Sequence, residues 1–334
     1  MAAPSPARIT IVSPASAREN NGNWQTASRW AHFLQSAHQA DIVYQWSAGD
    51  AVPDLLIALH ARRAAPALAA FTAACPGVPS VLVLTGTDLY RDIAVDRDAQ
   101  ASLASATALV LLQPAGLALL PASLHGKARV IYQSAPSLPP LPSQGAPVIS
   151  MVGHLREEKD PRTFIAAASM VRTPDVEFVH VGGALDPALG ELAAATARAL
   201  PRYRWLGNLP HAQTRDVLRR SHAMVIASRM EGGANVIIEA VICGVPVLAS
   251  DINGNRGMLG EDYAGYFAPG DAAALAALIE RSLADAAFYG LLQRQCAARA
   301  ALFAPAAEQA ALLQLVDNLC HRPSASPTHR QEQP

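Results

Sequence analysis

Glu231 and Glu239 stand eight residues apart around the step Gly232-Gly233-Ala234-Asn235, between the apolar runs "HAMVIAS" and "CGVPVLASD". On a helix beginning near Gly233, eight steps leave two positions about 80° apart around the axis. Glu239 then points from the helix towards one end of a ligand, and Glu231, in the turn before it, towards the other. A carboxylate accepts two hydrogen bonds well, which suits each to a pair of neighbouring sugar hydroxyls. The first turn of such a helix offers free N–H groups to an anion. Gly232 and Gly233 would let a phosphate come close to the backbone. A basic cluster, His154, Arg156 and Lys159, follows an earlier apolar run in "VISMVGHLREEKD". Lys159 and Arg156 can neutralise a diphosphate. An ordinary helix with a solvated glutamate shows the same spacing, so it is the flanking runs and the basic cluster that favour a ligand.

The amino-terminal half carries a second set of polar residues after apolar runs. "NNGNWQTASRW" places Asn21, Gly22 and Asn23 before a helix, either as a turn that approaches a ligand or as a plain turn capped by Asn23. "HARRA" follows "PDLLIAL" and contributes His60, Arg62 and Arg63. Two arginines at a helix start oppose its dipole by up to about 1 kcal/mol, which points to a bound anion, solvated arginines being the alternative. "LTGTDLYRD" adds Thr85, Thr87 and Asp88. His60 reads either as an acid–base group or as a buried strand-end histidine.

Those residues need elements to hold them. Short apolar runs alternate with Ala-rich helical stretches along the chain: "RITIVSP", "ADIVYQW", "PDLLIALH", "SVLVLTG", "ALVLLQ" and "ARVIYQ", then "VISMVGH", "VEFVHVGG", "YRWLGN", "HAMVIAS", "VPVLASD" and "AGYFAPGD". The alternation predicts parallel sheets covered by helices. "SAPSLPPLPSQGAP", residues 134–147, is rich in Pro and Ser and reads as a linker. The expected architecture is α/β, with two doubly wound Rossmann-like domains facing a central cleft. The first spans 1–138 plus a returning helix at about 300–320, and the second spans 147–296. Residues 322–334 read as a disordered tail. In such sheets ligands bind beyond the carboxyl ends of the strands, where the polar residues above fall.

The 334 residues suffice for two cores, and a net charge of −1 with 16% charged residues argues against a nucleic-acid partner. The four cysteines show no metal or redox spacing. No basic-then-apolar leader and no spanning apolar run is seen, so no membrane association and a cytoplasmic location are expected.

Residues 147–272 resemble the donor-binding half of the family-four glycosyltransferases, which have the GT-B fold. "VGHLREEKD" is similar to their Gly-Arg-Leu…Glu-Lys-Gly segment, and "SRMEGGANVIIEAVICGVPVLASD" to their paired-glutamate motif. The resemblance implies Lys159 on the donor diphosphate, Glu239 on the ribose and Glu231 by the donor sugar. The amides near Gly233, Ala234 and Asn235 would meet its phosphate or hydroxyls, and Gly182–Gly183 with Asn208–Leu209 would flank the base. It also implies no metal and no cofactor. His154 stands where most relatives have Arg, so either His154 or Arg156 supplies the second phosphate cation. Gly22 stands among the residues that replace a usual glycine pair, and Thr85 replaces a usual His, whereas Thr87 and Asp88 match.

The combination of "NNGNWQTASRW", "LHARRA" and "LTGTDLYRDI" with the donor motifs resembles the selenosugar synthases of selenoneine biosynthesis. Those enzymes join the sugar of a UDP-sugar, UDP-N-acetylglucosamine or UDP-glucose, to selenium from selenophosphate. This implies catalytic Lys159, Glu231 and Arg156. Donor contacts would come from Gly22, His154, Gly183, Leu209, Gly233, Ala234, Asn235 and Glu239. Acceptor contacts would come from Asn21, Asn23, His60, Arg62, Arg63, Thr85, Thr87 and Asp88. Other enzymes of that pathway become candidate partners. Rival readings are a conventional glycosyltransferase with a hydroxyl acceptor, a nucleotide-sugar epimerase, and a two-lobed binding protein without turnover.

Overall fold

The computed structural model describes residues 5–16, 18, 22–142 and 145–320. Asn21 and the segment 322–334 lie outside them. Each of the twelve apolar runs forms a strand. In the first half these are β1 (Arg8–Val12), β2 (Gln39–Val43), β3 (Leu55–Leu59), β4 (Ser80–Leu84), β5 (Ala108–Leu111) and β6 (Ala128–Val130). The second half contributes β7 (Val148–Val152), β8 (Glu177–Val181), β9 (Tyr203–Trp205), β10 (Ala223–Ile226), β11 (Val247–Ser250) and β12 (Tyr266–Phe267).

The strands form two six-stranded sheets, ordered β2-β1-β3-β4-β5-β6 and β12-β11-β10-β7-β8-β9. Every pairing is parallel. β3 and β4 are buried along their whole length, as continuous apolar runs covered on both faces must be, whereas edge strand β2 is half exposed. The order reverses direction between β1 and β3 in the first sheet and between β7 and β10 in the second. A crevice opens at each of these switch points, because successive crossovers depart in opposite directions. The loops after β7 and β10 carry the basic cluster and the paired glutamates.

The chain returns to the first domain at its end. Helix Pro305–Cys320 packs Leu312, Leu315, Val316 and Leu319 into the core made by β1, β3, β4 and helix Gly22–Leu34. Glu308, 1% exposed, anchors it by accepting from Arg29 Nε (2.8 Å), Trp30 Nε1 (2.7 Å) and Ser134 Oγ (2.6 Å). Three donors are what a buried carboxylate requires. The preceding segment belongs to the other side, with Phe303 in the second domain's core.

The domains also meet directly. Helix Asn253–Leu259 lies against Pro114–Leu119, and Tyr132 Oη donates to the Gly257 carbonyl (3.1 Å). Among the described residues, no helix is long and apolar enough to cross a membrane.

Candidate active site

Two adjoining cavities occupy the cleft, and Gly22 and Asn235 border both. The larger, about 630 Å³, runs along the second domain past Gly153, His154, Gly182, Asn208 and Leu209 to Glu239, with Gln25, Arg29 and His32 of helix Gly22–Leu34 opposite. The smaller, about 160 Å³, lies between the switch points. His60, Arg63, Thr85 and Thr87 line it from the first domain, and Arg156, Glu158, Glu231 and Gly233 from the second.

Helix Asn235–Ile242 starts two residues later than the sequence suggests, with Ala234, which is buried, as its N-cap. Gly232 and Gly233 also have a different reason to be glycine than phosphate approach. A Cβ on Gly232 would fall 2.5 Å from the Thr85 carbonyl oxygen, and one on Gly233 would fall 2.7 Å from Leu112 Cβ. The opposite domain fills the space that side chains would need.

Glu231 is 8% exposed and pairs with Lys159, whose Nζ lies 2.5 Å from Oε1. The loop carrying Lys159 is held by Asp160, at φ 45°, which accepts from Thr163 Oγ1 (2.9 Å) and pairs with Arg229 Nη2 (3.1 Å). Glu239 accepts from His211 Nε2 (2.6 Å), and that bond raises the His211 pKa above its ordinary value. His211, at the start of helix His211–Arg220, was not expected at the site. Its only sequence signal is its place just after Asn208–Leu209, in the loop expected beside the base.

His154 faces the larger cavity, where burial, then the charges of Arg156 and Lys159, lower its pKa. The ring is therefore neutral near pH 7. Arg156 faces the smaller cavity instead. The Gly183 amide donates to Asn208 Oδ1 (2.8 Å), which fixes the loop beside Gly182 and Leu209.

In the first domain His60 adopts the left-handed φ of 77°, a conformation that costs a non-glycine residue about 1–3 kcal/mol. Its Nδ1 accepts the Arg63 amide (3.3 Å), so the neutral ring carries its hydrogen on Nε2, 3.2 Å from Thr87 Oγ1. Burial is the main cause that lowers the His60 pKa. Asn23 lines the smaller cavity beside Gly22. Two expected acceptor residues do not line it. Asp88 is fully buried and accepts the amides of Ala61 (2.9 Å), Thr85 (3.0 Å) and Gly86 (2.8 Å), so it shapes the loop. Arg62 turns away to Asp92, with Nε 2.9 Å from Oδ2. Among the described residues, no group of three or more His, Cys, Asp or Glu could hold a metal ion.

Residues 139–302 match the glycosyl transferases group 1 family. The two-domain fold is that of GT-B glycosyltransferases. Sucrose-phosphate synthase from Thermosynechococcus elongatus superposes with a TM-score of 0.73 at 19% identity, covering 93% of this chain and 98% of that one. Anabaena HepE, solved with UDP-glucose, gives 0.74 at 15% identity, covering 94% and 100%. Among curated proteins, the 2-deoxystreptamine glucosyltransferase of Streptomyces kanamyceticus is 31% identical over 150 residues, 44% of this chain and 39% of the relative. The 2-deoxystreptamine N-acetyl-D-glucosaminyltransferase of Streptomyces fradiae is 29% identical over 147 residues, 42% and 35%. The matches thus span under two-fifths of these relatives' own lengths.

Proposed function

We propose that this chain is a glycosyltransferase that moves the sugar of UDP-N-acetylglucosamine or UDP-glucose onto the selenium of selenophosphate. The observation that carries the reading is the pairing of Arg63 and Arg156, one from each domain, in a small cavity joined to a larger one at Gly22 and Asn235. HepE, a structural match, was solved with UDP-glucose, which supports a UDP-sugar donor.

On this reading the nucleotide fills the larger cavity. Glu239 holds the ribose through Oε2, its Oε1 being taken by His211. Asn208 and Leu209 border the base. Lys159, beside Glu231, meets the diphosphate and stabilises charge that grows on it during the reaction. The sugar passes Gly22 and Asn235 into the smaller cavity, where Glu231 accepts from its hydroxyls.

The acceptor half follows from charge and proton placement. A hydroxyl nucleophile needs a base. Of the small cavity's carboxylates, Glu231 is committed to Lys159 and Glu158 lies 3.8 Å from Arg91 Nη1, while the nitrogen that His60 turns towards Thr87 bears hydrogen. A soft anion needs no base and is drawn by Arg63 and Arg156. Selenium attacks the anomeric carbon, the C–Se bond forms as the bond to the diphosphate oxygen breaks, and UDP leaves with the electron pair. Water then cleaves the P–Se bond, giving phosphate and a 1-seleno-sugar. The reading uses no metal, the charge being met by cations and amides of the chain.

The test is UDP release from UDP-N-acetylglucosamine and UDP-glucose, with and without selenophosphate under reducing conditions, with products read by mass spectrometry. A selenium isotope pattern on the sugar is expected. UDP release that is indifferent to selenophosphate would replace this acceptor by a hydroxyl, and absence of turnover would leave a binding protein.

A further inference from the structure

The chain between the domains brings one buried polar group to the small cavity that no role above uses. Gln133, 2% exposed, stands just beyond β6, where residues 131–135 pass between the domains. Its Nε2 donates to Thr26 Oγ1 on helix Gly22–Leu34, and the Thr26 hydroxyl donates in turn to the Gly22 carbonyl (2.8 Å). The other end, Oε1, is buried with no hydrogen-bond partner among the described residues. It borders the small cavity beside Gly22, Thr26, Leu112 and Gly233, and a Cβ on Gly233 would come within 3.4 Å of it.

The two bonds at Thr26 favour one direction of the amide. The Thr26 hydrogen is spent on the Gly22 carbonyl, so Thr26 can only accept from Gln133. Rotating the amide would set its oxygen against the Thr26 oxygen. In this arrangement Gln133 turns its carbonyl oxygen, an acceptor, to whatever occupies the cavity. A buried acceptor left unmet is costly, so the group opposite it must be a donor. A phosphate or selenophosphate oxygen is the wrong partner, because it offers a second acceptor. A sugar hydroxyl is the right one.

We infer that Gln133 is a specificity-determining residue that accepts a hydrogen bond from one hydroxyl of the transferred sugar. This rests on the reading that a UDP-sugar places its sugar in the small cavity. The chain Gly22–Thr26–Gln133 fixes the reader from behind, and Glu231 faces it from the second domain. A site built to receive a hydroxyl rejects the analogue that lacks it, because its own buried group is then left unpaired.

Calorimetric binding of UDP, UDP-glucose and each monodeoxy analogue of UDP-glucose tests this on wild type, Gln133→Met, Gln133→Glu and Thr26→Val. The Met variant keeps the length and removes the acceptor. It is expected to bind UDP like wild type and UDP-glucose about tenfold more weakly. One deoxy analogue, already weak on wild type, should bind both proteins alike. The Glu variant keeps an acceptor, with the Thr26 hydroxyl turning from the Gly22 carbonyl to donate to its second oxygen, and should retain discrimination against that analogue. Thr26→Val leaves Gln133 in place but frees its amide, so discrimination against the same analogue should fall even if the Met variant does not fold. Equal weakening of UDP-glucose and every analogue, or none, would overturn the inference while leaving the donor reading intact. Failure of wild type to bind any UDP-sugar more tightly than UDP would overturn the sugar site itself.

Discussion

Lys159 and Glu231 form a pair across the second domain's switch point, with Nζ 2.5 Å from Oε1 and side chains 17% and 9% exposed. Each offsets the other's cost of leaving water, and on the proposed reading they set a cation and a carboxylate where the donor's diphosphate and sugar meet. Lys159→Ala strands the carboxylate, so it should lower both stability and kcat/KM. The turnover loss is expected at about 100-fold or more, the scale of a lost electrostatic stabiliser. Adding Glu231→Gln should restore stability but not turnover, which thermal unfolding and UDP-release kinetics separate. Recovery of turnover in the double variant would remove Lys159 from the chemistry.

Arg62 and Arg63 are neighbours with different fates. Arg63 lines the small cavity, while Arg62 is held by Asp92. Arg63→Ala is expected to raise KM for selenophosphate about tenfold or more, since a hydrogen bond to a charged group contributes about 1.5–3 kcal/mol. UDP affinity should be unchanged, and Arg62→Ala should shift the acceptor KM much less. Steady-state kinetics with varied selenophosphate would show an Arg63→Ala KM close to wild type if the acceptor lies elsewhere.

Gly232→Ala places a methyl 2.5 Å from the Thr85 carbonyl, a backbone atom that cannot swing aside. The loops after β4 and β10 must then part. The expected result is a larger radius of gyration by small-angle scattering and loss of turnover, with each domain still folded by circular dichroism. Unchanged scattering and activity would show that the loops yield locally.

Stability should fall with acid between pH 6.5 and 4. Burial pushes the His180 pKa down to about 4, so below its unfolded value of 6.5 the unfolded chain takes a proton that the folded chain refuses. That stability is present above pH 6.5 and lost as pH falls, by about 3 kcal/mol at the limit. His60, His154 and His222 are lowered too and act in the same sense. His211 is raised by Glu239 and works oppositely, its contribution fading as pH rises through its folded value. His180→Leu should be less stable at pH 7, losing the bond to Tyr203 Oη (2.9 Å), but should show a shallower acid slope in melting temperature.

Glu308→Ala removes the acceptor for Arg29, Trp30 and Ser134 at once. A loss of about 3–5 kcal/mol is expected, the scale for breaking a buried ion pair on one side. Chemical denaturation measures it, and early protease cleavage near helix Pro305–Cys320 would place it. A loss under about 1 kcal/mol would mean that apolar packing alone seats that helix.

The sequence by itself determined the twelve strands and the parallel, doubly wound plan. The pattern of apolar runs is local, and continuous runs separated by helices leave few other arrangements. It also located the two switch-point loops with Glu231, Lys159, His60 and Arg63, because polar residues directly after strands fall at the crevice. What each side chain does there was decided only by tertiary structure. Asp88 and Arg62 read like ligands, yet one binds three backbone amides and the other meets Asp92, partners set by the path of a loop. Gly232 reads like a phosphate contact, yet the opposing domain fills its Cβ space. Gln133 and Glu308 carried no local signal and His211 only its place after Asn208–Leu209, since their partners lie 107, 279 and 28 residues away in the chain. Periodicity reports which face of an element is buried, but only the folded chain brings a donor from one domain to an acceptor in the other.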